Sequence, residues 1–324
     1  MLSSTRTILL SICYIIAFNA KSMAHDFGLT TDTSTVVFHS ETGDLFGTMT
    51  LPDKKGKLPL VIFISGSGPT DRDGNNPLIQ GKNNCFLQLS EALAKKGIAS
   101  FRFDKRGVGQ SKKAGLKESD LRFEDYVKDV ESWIGMFHKD ERISKIIIAG
   151  HSEGSLIGML AALNKTDQFI SISGPGYAID ETLKRQLKNQ LTDSLKNQAF
   201  MDIDSLKAGY TVKKFPLQLF SLFRPSVQPY LISWMRYDPC VEIGKLNIPV
   251  MIVQGDNDIQ VLKEDADRLF SCKPDAKFLI IKKMNHVLKE VSKTNQSDHI
   301  KTYGDPSLKV SRRLIREMIH FIKN

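Results

Sequence analysis

The sequence predicts an α/β chain with a mostly parallel central sheet, helices on both faces and an inserted helical lid. Three observations predict it. Short runs at 58–64, 99–103, 145–149, 169–173, 250–254 and 278–281 are rich in β-branched, aromatic and other apolar residues and lack strict apolar–polar alternation, as strands buried on both faces do. Helical patterns lie between them, and such alternation requires right-handed crossovers that cover both sheet faces. The stretch from about 177 to 237 breaks the rhythm with helical patterns and no convincing strand.

In chain order, Arg6 precedes an apolar stretch from Ile8 through Phe18, and Ser22-Met23-Ala24 follows with small residues at the two positions a signal peptidase reads. Residues 1–24 therefore read as a signal peptide, and the expected destination is secreted or periplasmic. The apolar run is shorter than the ~20 residues a bilayer span needs, so no stable membrane insertion is expected after cleavage. Alternating runs at 35–39 and 45–51 flank Glu41-Thr42-Gly43-Asp44 and predict an antiparallel edge hairpin. Residues 25–176 then form the N-terminal part of the core, with helices expected over 86–93, 123–137 and 156–163.

Residues 177–240 are the expected lid, with helical patterns at Leu183-Leu187-Leu191-Leu195, at Leu217-Phe220-Leu222-Phe223 and at Leu231-Trp234-Met235. The Leu and Phe residues from Phe215 to Phe223 would suit an apolar acyl group. Residues 241–324 complete the core, with helices over 262–270 and 308–322. The whole chain has 324 residues, 41% hydrophobic and 25% charged, ample for one sizeable core.

Gly150-His151-Ser152-Glu153-Gly154 sits where the apolar run 145–149 gives way to a helix. A strand turning sharply into a helix needs glycine on both sides of its turning residue and leaves the central serine hydroxyl exposed. Such a serine needs a base to take its proton and a third group to fix the base. Loops at the carboxyl ends of parallel strands share one crevice, and two later loops of this kind supply both groups. The loop after 250–254 offers Asp256 and Asp258. Asp258 is the candidate acid, because Ile259 and Val261 follow and can pin it, whereas Asp256 can shape the turn through backbone amides.

The loop after 278–281 offers His286. His25 and His39 precede the core, His138 ends a helix, His299 falls in a polar loop and His320 in the terminal helix, while His151 adjoins Ser152 and should point away from its side chain. An oxyanion needs preorganised N–H donors. The backbone amide of Glu153 is one candidate and that of Ser67 the other, with Gly68 behind it, in Ser65-Gly66-Ser67-Gly68-Pro69-Thr70-Asp71-Arg72-Asp73-Gly74-Asn75.

Taken with Phe103-Asp104-Lys105-Arg106-Gly107-Val108-Gly109-Gln110-Ser111 and Tyr237-Asp238-Pro239, these segments resemble the α/β-hydrolases from about Leu45 to the C-terminus. Within that superfamily the chain resembles secreted carboxylesterases near the serine aminopeptidase-like and dienelactone hydrolase-like families. The resemblance implies nucleophile Ser152, acid Asp258, base His286 and an oxyanion hole from the Ser67 and Glu153 amides. Ser65 departs from the histidine that many relatives carry before the glycine. The glycines of 104–111 would suit a phosphate loop only if a helix opened directly after them, and Lys112-Lys113-Ala114-Gly115 reads as continuing loop.

The expected function is hydrolysis of carboxylic esters with short to medium acyl chains through an acyl-enzyme, with a small-molecule acyl ester as partner and no metal or organic cofactor. A serine aminopeptidase-like peptidase, which would need an acid such as Glu181 or Asp202 to hold a substrate amine, and a thioesterase are the enzymatic alternatives. A non-catalytic binding protein on the same fold would be marked by loss of a triad member. The formal charge of +9 falls to +7 without Arg6 and Lys21, and the lysines are dispersed, which describes a solvated basic surface rather than a nucleic-acid site. Cys85, Cys240 and Cys272 remain after the signal with no C-x-x-C spacing, so their pairing is open.

Overall fold

The computed structural model describes residues 31–188, 190–292 and 296–324; the signal-peptide reading of 1–24 lies outside them. Eight strands form one sheet: β1 (Thr31–Ser40), β2 (Gly43–Pro52), β3 (Leu58–Ile64), β4 (Ala99–Phe103), β5 (Ile143–His151), β6 (Gln168–Ile172), β7 (Val250–Gly255) and β8 (Lys277–Ile281). Their spatial order is β1-β2-β4-β3-β5-β6-β7-β8. The β1–β2 hairpin and the β2–β4 pair are antiparallel, and every pair from β4 to β8 is parallel.

The central strands bury both faces because successive side chains point to opposite sides. Leu60, Ile62 and Ile64 of β3 and Ile146 and Ile148 of β5 join one core cluster, while Val61, Phe63, Ile147 and Ala149 join the other. The second face is covered by α1 (Cys85–Ala94), through Phe86, Leu89 and Leu93, and by α11 (Arg312–Lys323), through Leu314, Met318 and Ile322. The first face packs against α2 (Phe123–Phe137), α3 (Glu153–Ala162) and α9 (Lys263–Cys272).

Between β6 and β7 the chain forms α4 (Ile179–Leu187), α5 (Asp193–Lys207), α6 (Phe220–Phe223) preceded by a 3-10 turn (Leu217–Leu219), α7 (Gln228–Trp234) and α8 (Pro239–Gly244). The leucine series from Leu183 to Leu195 is thus divided between two helices. The Leu- and Phe-rich segment also differs from its expected role. Leu219, Leu222 and Phe223 are buried in the first cluster, while Leu217 and Phe220 are exposed; none of them lines the cavities beside the elbow.

Two loops expected from the sequence contain helix. Gly109–Ala114 is a 3-10 helix, tied to the sheet where Ser111 Oγ accepts from Phe46 N at 2.9 Å. His299 lies on α10 (Gln296–Lys301) and is buried 5.7 Å from the Tyr303 ring. A disulfide joins Cys240 of α8 to Cys272 of α9, and Cys85 is a buried free thiol pushed up to about 12 by that burial. No helix of the described residues is long and apolar enough to cross a membrane.

Candidate active site

The turn from β5 to α3 places Ser152 at φ 55° and ψ −128°, a left-handed setting that costs a non-glycine residue roughly 1–3 kcal/mol and persists only where its surroundings enforce it. The surroundings do so. Ser152 N donates to Ile172 O of β6 at 3.0 Å. A Cβ on Gly150 would lie 2.3 Å from Gly154 O, and one on Gly154 would lie 2.4 Å from Ile64 O. Both glycines are therefore demanded by close backbone approach, and α3 packs directly on the end of β3.

The loop after β7 orients Asp258. Its Oδ1 accepts from Gln260 N at 2.8 Å and Val261 N at 3.1 Å, and its Oδ2 accepts from Gln254 Nε2 at 3.2 Å and lies 2.8 Å from His286 Nδ1. Burial alone would raise this carboxyl. The neighbouring His286 and the two backbone donors outweigh that and hold it below the usual carboxylate range. Asp256 instead accepts from Lys283 N at 2.5 Å and shapes the turn. With Nδ1 donating to a carboxylate, the neutral His286 ring keeps Nε2 as an acceptor.

His151 turns to the back of this pair. Its Nε2 lies 2.8 Å from the His286 carbonyl, and the two rings meet at a tilt of 49° with centroids 4.7 Å apart. A carbonyl can only accept, so Nε2 carries the proton. Burial first, and the adjacent His286 second, push the His151 pKa down to about 3.

The loop after β3 closes over Ser152, and a Cβ on Gly66 would lie 2.9 Å from Ser152 Cβ. Thr70 Oγ1 donates to Ser67 O at 3.1 Å, and the N–H groups of Asp73 and Asn75 donate to Asp71 Oδ1 at 2.9 and 2.8 Å. Asp104 braces the loop from below, accepting from Arg72 N at 2.9 Å, Arg72 Nη2 at 2.6 Å and Gln110 N at 2.9 Å. The 104–111 segment is thus a bracket for the loop that carries Ser67. Glu153 opens α3, where first-turn N–H groups have no intrahelical partner and the helix dipole favours negative charge.

Two adjoining cavities meet at Ser152. One of about 60 Å³ is lined by Gly66, Ser67, His151, Ser152 and His286 among others. A larger one of about 220 Å³ runs past Ser67, Ser152 and Glu153 to a wall made by α4 (Ile179, Leu183, Leu187), Trp234 and Tyr303. Glu181 and Asp202 line neither cavity.

Sequence reasoning did not find the α4 wall, nor Lys105 and Tyr230, whose side chains reach Glu153 from the loop after β4 and from α7. A lysine placed two residues after a buried strand was the available signal for Lys105; Tyr230 offered none. Among the described residues no group of three or more His, Cys, Asp and Glu is placed to hold a metal ion.

A family model described as "Serine aminopeptidase, S33" matches residues 81–208, less than half of the chain. Esterase EstD of Thermotoga maritima is 25% identical over 247 residues, covering 75% of this chain and 57% of that protein; the chain thus spans little more than half the length of this curated relative. Among solved structures, Est1E from Butyrivibrio proteoclasticus superposes with a TM-score of 0.57 at 18% identity, covering 90% of this chain and 99% of its own. The Pyrococcus furiosus esterase Pf2001 does so with a TM-score of 0.58 at 16% identity, covering 93% and 95%. GrgF from Penicillium sp. sh18, described as an alpha/beta hydrolase, gives 0.58 at 18% identity over 90% and 98%. At these identities the structural likeness is one of fold.

Proposed function

We propose that this α/β-hydrolase cleaves carboxylic esters through an acyl-enzyme on Ser152. The observation that carries the reading is the meeting of a strained, half-buried Ser152 with an Asp258-bonded His286 in the lining of one cavity. The esterase names of the Thermotoga and Pyrococcus relatives agree with it.

In this reaction His286 Nε2 takes the Ser152 proton as Oγ attacks the ester carbonyl. Asp258 holds the ring tautomer and stabilises the imidazolium. The Ser67 and Glu153 amides receive the tetrahedral oxyanion. The imidazolium then protonates the leaving alcohol, and water activated by the same base cleaves the acyl-enzyme. The 220 Å³ cavity suits a short to medium acyl chain against Ile179, Leu183 and Trp234. A secreted or periplasmic location belongs to the same proposal, and the Cys240–Cys272 disulfide fits an oxidising compartment.

The test is a panel of p-nitrophenyl esters, acyl thioesters and amino-acid p-nitroanilides, run on wild type beside Ser152→Ala. Ester turnover lost in Ser152→Ala is expected. Anilide turnover exceeding ester turnover would replace the reading with a peptidase, and full ester turnover by Ser152→Ala would remove Ser152 as nucleophile.

A further inference from the structure

Lys105 is a lysine in an unusual place. It lies two residues after the end of β4, its side chain is only 2% exposed, and its Nζ donates to the Gly66 carbonyl at 2.5 Å. The same Nζ lies 3.4 Å from Glu153 Oε2 and 5.1 Å from the centre of the Tyr126 ring. Glu153 Oε1 in turn accepts from Tyr230 OH at 2.5 Å. Burying an ammonium is costly unless it is paired and hydrogen-bonded, and the partners here are the two chain segments that flank Ser152.

We infer that Lys105 is a positioning residue for the oxyanion hole, acting through the Gly66–Ser67 peptide and the Glu153 side chain. The inference rests on the proposed acyl-transfer reading. The Gly66 carbonyl and the Ser67 N–H are the two ends of one peptide unit, which is trans because the described chain has no cis bonds. In a trans peptide these two groups point in opposite directions. A cation holding the carbonyl from beneath therefore aims the N–H the other way, towards the Ser152 side of the loop, where Gly66 itself approaches Ser152 Cβ.

The ammonium also polarises the peptide, since successive hydrogen bonds strengthen one another in a low-dielectric setting, and so makes Ser67 N–H a stronger donor to a developing oxyanion. The carboxylate that neutralises Lys105 belongs to Glu153, whose own N–H is the second donor. One buried ion pair thus fixes both donors relative to each other. Tyr230 extends the connection to α7 of the inserted segment.

The test compares Lys105→Met, which keeps the stem and removes the charge, with Lys105→Gln, which keeps a neutral donor. Loss of one oxyanion donor costs about 10²–10³ in kcat, and weakening one without removing it is expected to cost about 10–100-fold in Lys105→Met and less in Lys105→Gln. KM should stay within about twofold, because the oxyanion forms only after binding. Affinity for a trifluoromethyl ketone, which adds Ser152 as a tetrahedral oxyanion, should fall in proportion to kcat. A purely structural role would lower kcat and thermal stability and raise KM, without this proportionality.

Unchanged kcat in folded Lys105→Met, or failure of both variants to fold, overturns the inference. Fluorophosphonate labelling of Ser152 separates it from the function it rests on. If wild type cleaves no ester but labels, and Lys105→Met labels more slowly, the ester reading falls and the role of Lys105 stands. Normal ester turnover by Lys105→Met has the opposite meaning, and a wild-type Ser152 inert to both reagents removes both.

Discussion

Asp258 Oδ2 lies 2.8 Å from His286 Nδ1, and both residues are buried. Because Oδ1 is already held by Gln260 N and Val261 N, the carboxylate cannot rotate away from the ring without breaking two backbone bonds.

Asp258→Asn should therefore keep the fold and lose the correct imidazole tautomer. The amide NH₂ would face Nδ1 and favour the proton on Nε2, which blocks general-base action. A fall in kcat of about 10³–10⁴ is expected from the corresponding change in serine hydrolase triads. Steady-state hydrolysis of a p-nitrophenyl ester, with circular dichroism as the folding control, checks it; a loss under tenfold would remove Asp258 from its role.

Gly154→Ala should act on stability and activity together. The new methyl would lie 2.4 Å from Ile64 O and 2.7 Å from Ser65 O, both backbone atoms at the root of the Ser67 loop. Overpacking of this kind costs on the order of 1–3 kcal/mol, and relief requires α3 to move away from β3. Denaturant unfolding and kcat should both decline; a variant of wild-type stability would contradict the close packing of α3 on β3.

His151 sets a pH dependence of folding. Its folded pKa is lowered to about 3 from an ordinary 6.5, so between these values the unfolded chain binds a proton that the folded chain does not. Stability contributed by neutral His151 is then full above pH 6.5 and declines as pH falls towards 3. In His151→Gln this component disappears. The unfolding free energy of wild type minus that of the variant should decline from pH 7.5 to pH 4.5, and parallel curves would contradict the assignment.

The Cys240–Cys272 bridge closes 32 residues between α8 and α9. Loop closure of that length stabilises by about 3–4 kcal/mol in the chain-entropy model. A Cys240→Ala/Cys272→Ala double variant should unfold at correspondingly lower denaturant, and reductant should shift wild type to the same midpoint while leaving the variant unmoved.

The parallel strands were legible because a strand buried on both faces has to be almost wholly apolar, as 58–64 and 145–149 are. The elbow was legible because its glycines are required by backbone approach rather than by side-chain choice. What the sequence hid has a common cause in long-range packing. Lys105 and Glu153 are 48 positions apart and Tyr230 another 77 from Glu153, and no local pattern reports such a meeting.

The Leu- and Phe-rich stretch from Phe215 to Phe223 misled for a related reason. Its apolar residues divide between the core and the surface, and composition does not say which wall of a cavity a helix will form. That wall falls to α4, whose Thr182 and Gln186 give it a mixed character that reads as an ordinary solvated helix. His299 was hidden in the same way, in a polar segment whose short helix buries it.

The backbone setting of Ser152 has one more consequence. Its positive φ is set where three elements meet, with Ser152 N bonded to Ile172 O of β6 and Gly154 of α3 in close approach to Ile64 O of β3. A slight loosening of the sheet-and-helix packing frees the serine to relax before any strand is lost. On the proposed function, reactivity at Ser152 should therefore act as a gauge of native packing and decline in mild denaturant before bulk secondary structure does, which probe labelling beside circular dichroism checks.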